Sequence, residues 1–186
     1  MDWIAVLADP AATGIVVGVL ALILFGAAWH KFAEPNAFLS ALAGYRLLPE
    51  VVLGPATRAV PAIETVLGLG LLLPVTRGVA LMGTAGLMLL YALSMAVNLM
   101  RGRDYIDCGC GGAAHPLSWG LVMRNIILAG AAIAVSGPGT ERNFDWTDAI
   151  TLVFGVLAFY AAYLAADELM RQASRMARTH NGGSPS

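Results

Sequence analysis

The sequence predicts an all-α, polytopic membrane protein: a four-helix bundle with a fifth, C-terminal transmembrane helix. Three observations carry that prediction. The 186-residue chain is 58% hydrophobic and only 12% charged, about half the charge of a soluble domain. Its mean hydropathy is +0.72. Its apolar residues are gathered into five long runs separated by short polar or Gly/Pro segments, the pattern of spanning helices rather than of a soluble core. A net charge of −1 gives no electrostatic case for nucleic-acid binding; the partner that composition implies is the lipid bilayer.

The chain begins Met1-Asp2-Trp3-Ile4, and Asp2 and Asp9 stand where a cleavable signal would carry basic residues. The first apolar run is therefore read as a retained helix. Spans are placed at 13–31, 56–73, 78–100, 117–135 and 147–166, within one membrane domain covering 1–170, followed by a polar tail at 171–186. The core of the second run, Ala59 to Leu73, has only 15 residues, short of the ~20 needed to cross the hydrocarbon. It is extended back to residue 56, with Arg58 snorkelling to the surface. Pro74-Val75-Thr76-Arg77 is a tight connection and predicts an antiparallel helical hairpin. The segment from Phe32 to Thr57 is amphipathic and reads as a short interfacial helix. Gly137-Pro138-Gly139 marks a turn before the last span. Small residues such as Gly14, Gly18, Gly68, Gly83 and Gly86 allow close helix packing.

The chemistry-bearing feature is Cys108-Gly109-Cys110, the chain's two cysteines, between the third and fourth spans and followed by Gly111-Gly112. Alternating spans place His30, Lys31, Glu64, Asn98, Arg101, Arg124 and Asn125 on the same side of the membrane as these thiols. Glu64 lies six residues beyond Arg58, and Arg124 seven beyond Leu117, so both sit roughly 9–11 Å into their helices. Ionisable groups at that depth are costly and are usually paired or functional, which makes Glu64 and Arg124 candidates for an intramembrane pair. His30, at a span end, fits an interfacial side chain or a proton-transfer group.

A thiolate attacks a disulfide sulfur, and rate and redox poise follow thiol acidity and access. A Cys-x-Cys bridge closes a very small ring, and a strained bridge is easily reduced. Lys31, Arg101, Arg103 or Arg124 would favour a thiolate; Asp107 opposes it. Three readings stand: dithiol–disulfide exchange with a partner; metal binding by Cys108, Cys110, His115 and Asp107, whose spacing matches no standard zinc site; and a packing or assembly role in which the cysteines are incidental. Exchange is the preferred reading and no metal site is assigned. No haem, flavin or nucleotide motif occurs. The one cofactor entertained is a quinone, for which Glu64, Arg124 and Trp29 are candidate lining residues.

Several short segments together resemble one family. They are Ala28-Trp29-His30-Lys31, Tyr45-Arg46-Leu47-Leu48-Pro49, Pro61-x2-Glu64, Asn98-Leu99-Met100-Arg101-Gly102-Arg103, Ile106-Asp107-Cys108-Gly109-Cys110-Gly111 and Arg124-Asn125. In that order the chain resembles the MauE proteins of the wider MauE/DoxX group of redox-associated membrane proteins, most clearly from Ala27 to Asn125. The resemblance implies a DoxX-like bundle in the bacterial inner membrane. It also implies a role in maturing methylamine dehydrogenase, a periplasmic enzyme whose small subunit is dense in disulfides. The implied partners are that subunit and MauD, a thioredoxin-like protein. Cys108 and Cys110 would be the exchanging pair, with His30, Lys31, Glu64 and Arg124 as polar support; a non-catalytic scaffold for the same partner is the rival role. This function implies thiols facing the periplasm. The distribution of basic residues points the other way: eight lie on the thiol side (Lys31, Arg46, Arg58, Arg101, Arg103, Arg171, Arg175, Arg178) against Arg77 and Arg142 opposite, and the positive-inside rule makes the richer side cytoplasmic. We take the periplasmic side, because a cytosolic thiol pair is kept reduced.

Overall fold

A computed structural model describes residues 9–103, 106, 117–137 and 145–181. They form six helices: α1 Pro10–Ala33, α2 Pro35–Tyr45, α3 Glu50–Leu72, α4 Arg77–Met100, α5 Trp119–Ala134 and α6 Trp146–Asn181. No strand occurs among the described residues, and the all-α polytopic architecture expected from the sequence is what forms.

Local chemistry sets the helix ends. The Asp9 carboxylate accepts from the backbone N–H of Ala11 at 2.8 Å, and Pro10 fills the first helical position of α1, where a missing N–H costs nothing. The predicted hairpin is present between α3 and α4. Its turn is tied down by Thr76 Oγ1, which donates to Gly70 O at 2.8 Å, and by Arg77 Nε, which donates to Leu71 O at 3.4 Å, so two carbonyls at the end of α3 gain partners. Gly102, with φ +70°, ends α4 while its N–H bonds Leu99 O at 3.0 Å, the left-handed conformation that glycine adopts without steric penalty. Two aspartates hold the start of α6: Asp145 N donates to Asp148 Oδ2 at 2.9 Å and Trp146 N to Asp145 Oδ1 at 2.7 Å, giving partners to backbone donors that a helix start leaves unpaired.

Helices α1, α3, α4 and α5 close a ring, with α1 on α3, α3 on α4, α4 on α5, and α5 back on α1. Helix α6 lies outside that ring against α1, and α2 rests on α3. Contact registers give the directions. Phe25 of α1 meets Gly68 of α3 and Lys31 meets Glu64, so α1 and α3 are antiparallel. Gly14 and Gly18 of α1 seat Leu152 and Val156 of α6, so those two run parallel. A Cβ on Gly18 would lie 2.6 Å from Val156 Cγ2, the close approach that small residues permit between membrane helices. Gly86, also expected to pack, meets nothing within 4 Å.

Helices α1, α4 and the 146–173 part of α6 are long and apolar enough to cross a bilayer. Helix α5 is apolar but has 16 residues, about 24 Å at 1.5 Å per residue. The outward faces remain apolar: Leu69 and Leu72 on α3, Leu90 and Leu93 on α4, and Val153, Phe154 and Phe159 on α6 are all exposed. In water such a surface would associate; in lipid it is solvated.

Two boundaries differ from the sequence expectation. Helix α3 begins at Glu50 rather than at residue 56 and carries Pro55 and Pro61 within it. Thr65 Oγ1 takes the Pro61 carbonyl at 2.8 Å. Helix α6 continues beyond the expected span end at residue 166 to Asn181, so the polar stretch that begins at 171 is helical as far as that. Arg171 pairs with Glu168 at 2.8 Å, and Gln172 bonds Glu168 at 3.1 Å, side-chain contacts at the helical spacing that supports a polar extension.

Candidate functional site

The buried side chains form two clusters. The larger, with Leu20, Leu24, Leu71, Leu81 and Ala132, fills the bundle at the hairpin end. The second gathers Tyr45, Ala92, Met95, Ile106, Leu117, Leu121 and Val122. Its most informative members are Ile106 and Leu117. They flank the cysteine-bearing segment, both are at most 6% exposed, and Leu117 N donates to Ile106 O at 3.1 Å. Ile106 and Leu117 are thus joined by one backbone hydrogen bond within this cluster. Cys108 and Cys110, with Asp107 and His115, lie outside the described residues. What is described is the root of their segment, held against α4, α5 and the end of α2.

At the same end of the bundle, Lys31 and Glu64 are 3% and 0% exposed and form an ion pair at 2.7 Å. The Tyr91 hydroxyl donates to the same oxygen, Glu64 Oε1, at 2.8 Å. Glu64 Oε2 is buried with no hydrogen-bond partner among the described residues. The Lys31 ammonium also lies 5.4 Å from the Phe38 ring and 5.6 Å from the Tyr91 ring, within the range of cation–π attraction. Charges this deep persist only when matched.

Arg124 pairs with Asp167 of α6 and not with Glu64. Its guanidinium lies 5.6 Å from the Tyr163 ring. The expected Glu64–Arg124 pair is therefore replaced by two separate pairs. Matching depth along two helices fixes height but not azimuth, and Glu64 faces α1 while Arg124 faces α6. His30 is exposed and Trp29 is 73% exposed. Successive residues on a helix point about 100° apart, so burying Lys31 turns its two predecessors outward. Trp29 and Arg124 thus do not join Glu64 at one site.

Tyr91 and Asp167 escaped the sequence reading as site residues. Tyr91 had a signal: Thr84, Tyr91 and Asn98 recur every seven residues on α4, one face of the helix. Thr84 and Asn98 are both 0% exposed. Among the described residues, no three His, Cys, Asp or Glu side chains converge as a metal site.

A cleft of about 420 Å³ lies between α2, α3 and α4, with Lys31 and Tyr91 in its wall. Its remaining lining is almost wholly apolar, including Phe38, Tyr45, Leu47, Val60 and Met95. Tyr45 and Met95 belong also to the cluster that holds Ile106 and Leu117. The cleft and the root of the cysteine segment therefore share a wall.

Comparison with known proteins bears on this arrangement. Residues 4–137 match the family described as methylamine utilisation protein MauE. A methylamine utilization protein MauE from Methylorubrum extorquens is 40% identical over 135 residues, covering 72% of this chain and 71% of that protein. The Methylophilus methylotrophus protein of the same name is 32% identical over 165 residues, 86% of each chain. That from Paracoccus denitrificans is 34% identical over 119 residues, 63% of this chain and 64% of its own. No solved structure matches. The matched region takes in α1 to α5 with the Lys31–Glu64 pair, the cleft and both cysteines, and the chain belongs to the MauE family.

Proposed function

We propose that this protein serves methylamine utilisation as a thiol–disulfide exchange component of the bacterial inner membrane, acting through Cys108 and Cys110. The thioredoxin-like MauD is its partner, and the disulfides of the methylamine dehydrogenase small subunit are the downstream product. In each exchange one disulfide breaks and another forms; two electrons and two protons pass between the dithiol and the disulfide partner.

The clamp between Ile106 and Leu117 carries this reading. The two residues that flank the cysteine segment are bonded to each other and buried, which supports a fixed footing for an exchanging pair. Family membership supplies the methylamine context, and the absence of other cysteines in the chain leaves no competing pair.

Cys108→Ser and Cys110→Ser should each abolish maturation of the dehydrogenase while the protein still accumulates in the membrane. Full maturation by either variant would sink the proposal and favour a scaffold. Reversible alkylation of both thiols, with and without reductant, reads the redox cycle directly. The cysteine segment is proposed to face the periplasm. With five alternating spans the C-terminus shares the side of the cysteine segment, so a periplasm-only reporter fused after residue 186 should be active; silence there would count against this orientation.

A further inference from the structure

The cleft of about 420 Å³ between α2, α3 and α4 lies along one leaflet of the bilayer. Its lining on α4 includes Leu90, Leu93, Ser94 and Val97, positions three, four and seven apart and so a stripe parallel to the helix axis. Helix α4 ends at Met100, which puts that stripe roughly 5–15 Å from its end at about 1.5 Å per residue. Half of a hydrocarbon core of about 30 Å covers the same depth. Phe38 and Ala41 of α2 stand in the same wall. Leu47, Leu48, Leu90 and Leu93 line the cleft and are also 40–60% exposed, so its mouth is continuous with the lipid-facing surface of the bundle.

Physical chemistry narrows the occupant. A water molecule needs about two to four polar partners in such a site, and polar groups of this wall already bond within the protein: Lys31 to Glu64 at 2.7 Å, the Tyr91 hydroxyl to Glu64 at 2.8 Å, and Ser94 Oγ to Leu90 O at 2.8 Å. An anionic head group meets no unmatched cation there, because the Lys31 ammonium is paired and lies 5.4 Å from the Phe38 ring and 5.6 Å from the Tyr91 ring. An empty slot forfeits the dispersion contacts of its lining. Hydrocarbon restores them, and the bilayer supplies it at the mouth. The volume falls within the range of about 300–1,000 Å³ that ligand pockets span.

We propose that this cleft is a binding site for one acyl chain of a membrane phospholipid, drawn from the leaflet at this end of the bundle. The chain lies along the α4 stripe, between α2 and α4. It completes the packing of α2, which otherwise rests chiefly on α3. It is a resident of the fold, distinct from the lipids that solvate the outward faces. No cysteine takes part, so the proposal stands apart from the exchange function.

The test uses the full-length protein in phosphatidylcholine nanodiscs doped with a phosphatidylcholine that carries a diazirine midway along one acyl chain. Photolysis followed by peptide mass spectrometry maps the label. Phe38, Ala41 and Met95 should be labelled; they line the cleft and are at most 7% exposed. Leu69, Leu72, Phe154 and Phe159, exposed on the outward faces, report the surrounding lipid. When the protein is moved to lipid-free detergent before photolysis, label on those four should fall at least tenfold while label in the cleft persists. Ser94→Trp, which fills the cleft, should lower labelling of Phe38 and Met95 at least tenfold and leave the outward faces unchanged. Leu48→Trp at the mouth is a second variant, kept in case the first does not fold. Label confined to the outward faces would overturn the proposal, including the case in which a second copy of the chain fills the cleft. So would cleft label that is lost in detergent together with the rest, or cleft label that both tryptophan variants leave unchanged.

Discussion

Two interhelical ion pairs among the described residues sit at the same end of the bundle and do different work. Lys31–Glu64 is sealed inside the ring, with side chains 3% and 0% exposed. Arg124–Asp167 joins the ring to α6, with side chains 12% and 18% exposed and a second cation, Arg171, at 3.7 Å from Asp167. The inner pair has no redundancy: removing either member strands the other in a medium that does not solvate charge. The outer pair has a spare cation and an aromatic neighbour. A structural clamp tolerates that kind of sharing. A sealed pair with one carboxylate oxygen left over among the described residues is a costlier way to hold two helices.

Removing the inner cation should give the largest effect. Lys31→Met leaves the Glu64 carboxylate buried and unmatched, and should cost about 3–5 kcal/mol. Thermal unfolding in detergent checks it. The double variant Lys31→Met/Glu64→Leu should recover most of that loss, since a matched apolar pair of similar volume is often neutral or better. If both variants are equally unstable, the pair matters for packing rather than for charge. A double variant that is stable yet no longer supports dehydrogenase maturation would separate function from folding.

The next effect concerns how α6 is held. Gly18→Leu puts a side chain where Val156 already lies, 2.6 Å from the new Cβ. Overpacking of this kind costs about 1–3 kcal/mol. The loss should fall on the α1–α6 contact, so protease access to the end of α6 should rise before the ring unfolds. A uniform loss across the molecule would show α6 to be integral to the bundle rather than docked upon it.

Much of this was legible in the sequence, for identifiable reasons. Hydropathy runs locate helices because the bilayer demands them, and Pro74 to Arg77 is too short to do anything but reverse the chain. Alternation of spans put Lys31, Glu64 and Arg124 at one end correctly. Pairing was not legible, because height along a helix says nothing of azimuth: Glu64 and Arg124 share a depth and face different neighbours. The start of α3 was misplaced because Pro55 and Arg58 interrupt the apolar run before Ala59, and a proline inside a helix reads as its boundary. The helical extension of α6 was missed because Asp167-Glu168 closes the apolar run and the polar residues from Arg171 on give no hydropathy signal; the Arg171–Glu168 pair that supports it shows only in the structure.

Asp167→Asn should cost less than either change above, about 1 kcal/mol or below, the range of partly exposed pairs. Arg124 keeps its place over the Tyr163 ring at 5.6 Å, so the contact is weakened rather than lost. Raising the salt concentration should shrink the difference between wild type and variant, since exposed pairs are screened. The same titration on Lys31→Met should change nothing, because salt does not reach the inner pair. A salt-sensitive Lys31 effect would mean that water enters the head of the cleft.

The smallest effect should be at Arg171, and it tests whether the outer cluster acts as a unit. Arg171 lies 2.8 Å from Glu168, which is 51% exposed, and 3.7 Å from Asp167. Alone, Arg171→Ala should cost about 0.3–0.5 kcal/mol, the usual worth of such helix pairs. Its partner Asp167 still has Arg124, so no charge is stranded. Arg124→Ala alone is likewise cushioned by Arg171. The double variant removes both cations from Asp167, so its loss should exceed the sum of the two single losses; neighbours in one network couple by roughly 0.5–3 kcal/mol. Strict additivity would mean that Arg171 serves only the last turns of α6 and that Arg124–Asp167 holds α6 by itself. Coupling would show that the helix continues beyond residue 166 in order to bring a second cation to the clamp, and that the polar extension belongs to the docking of α6 rather than to solvent.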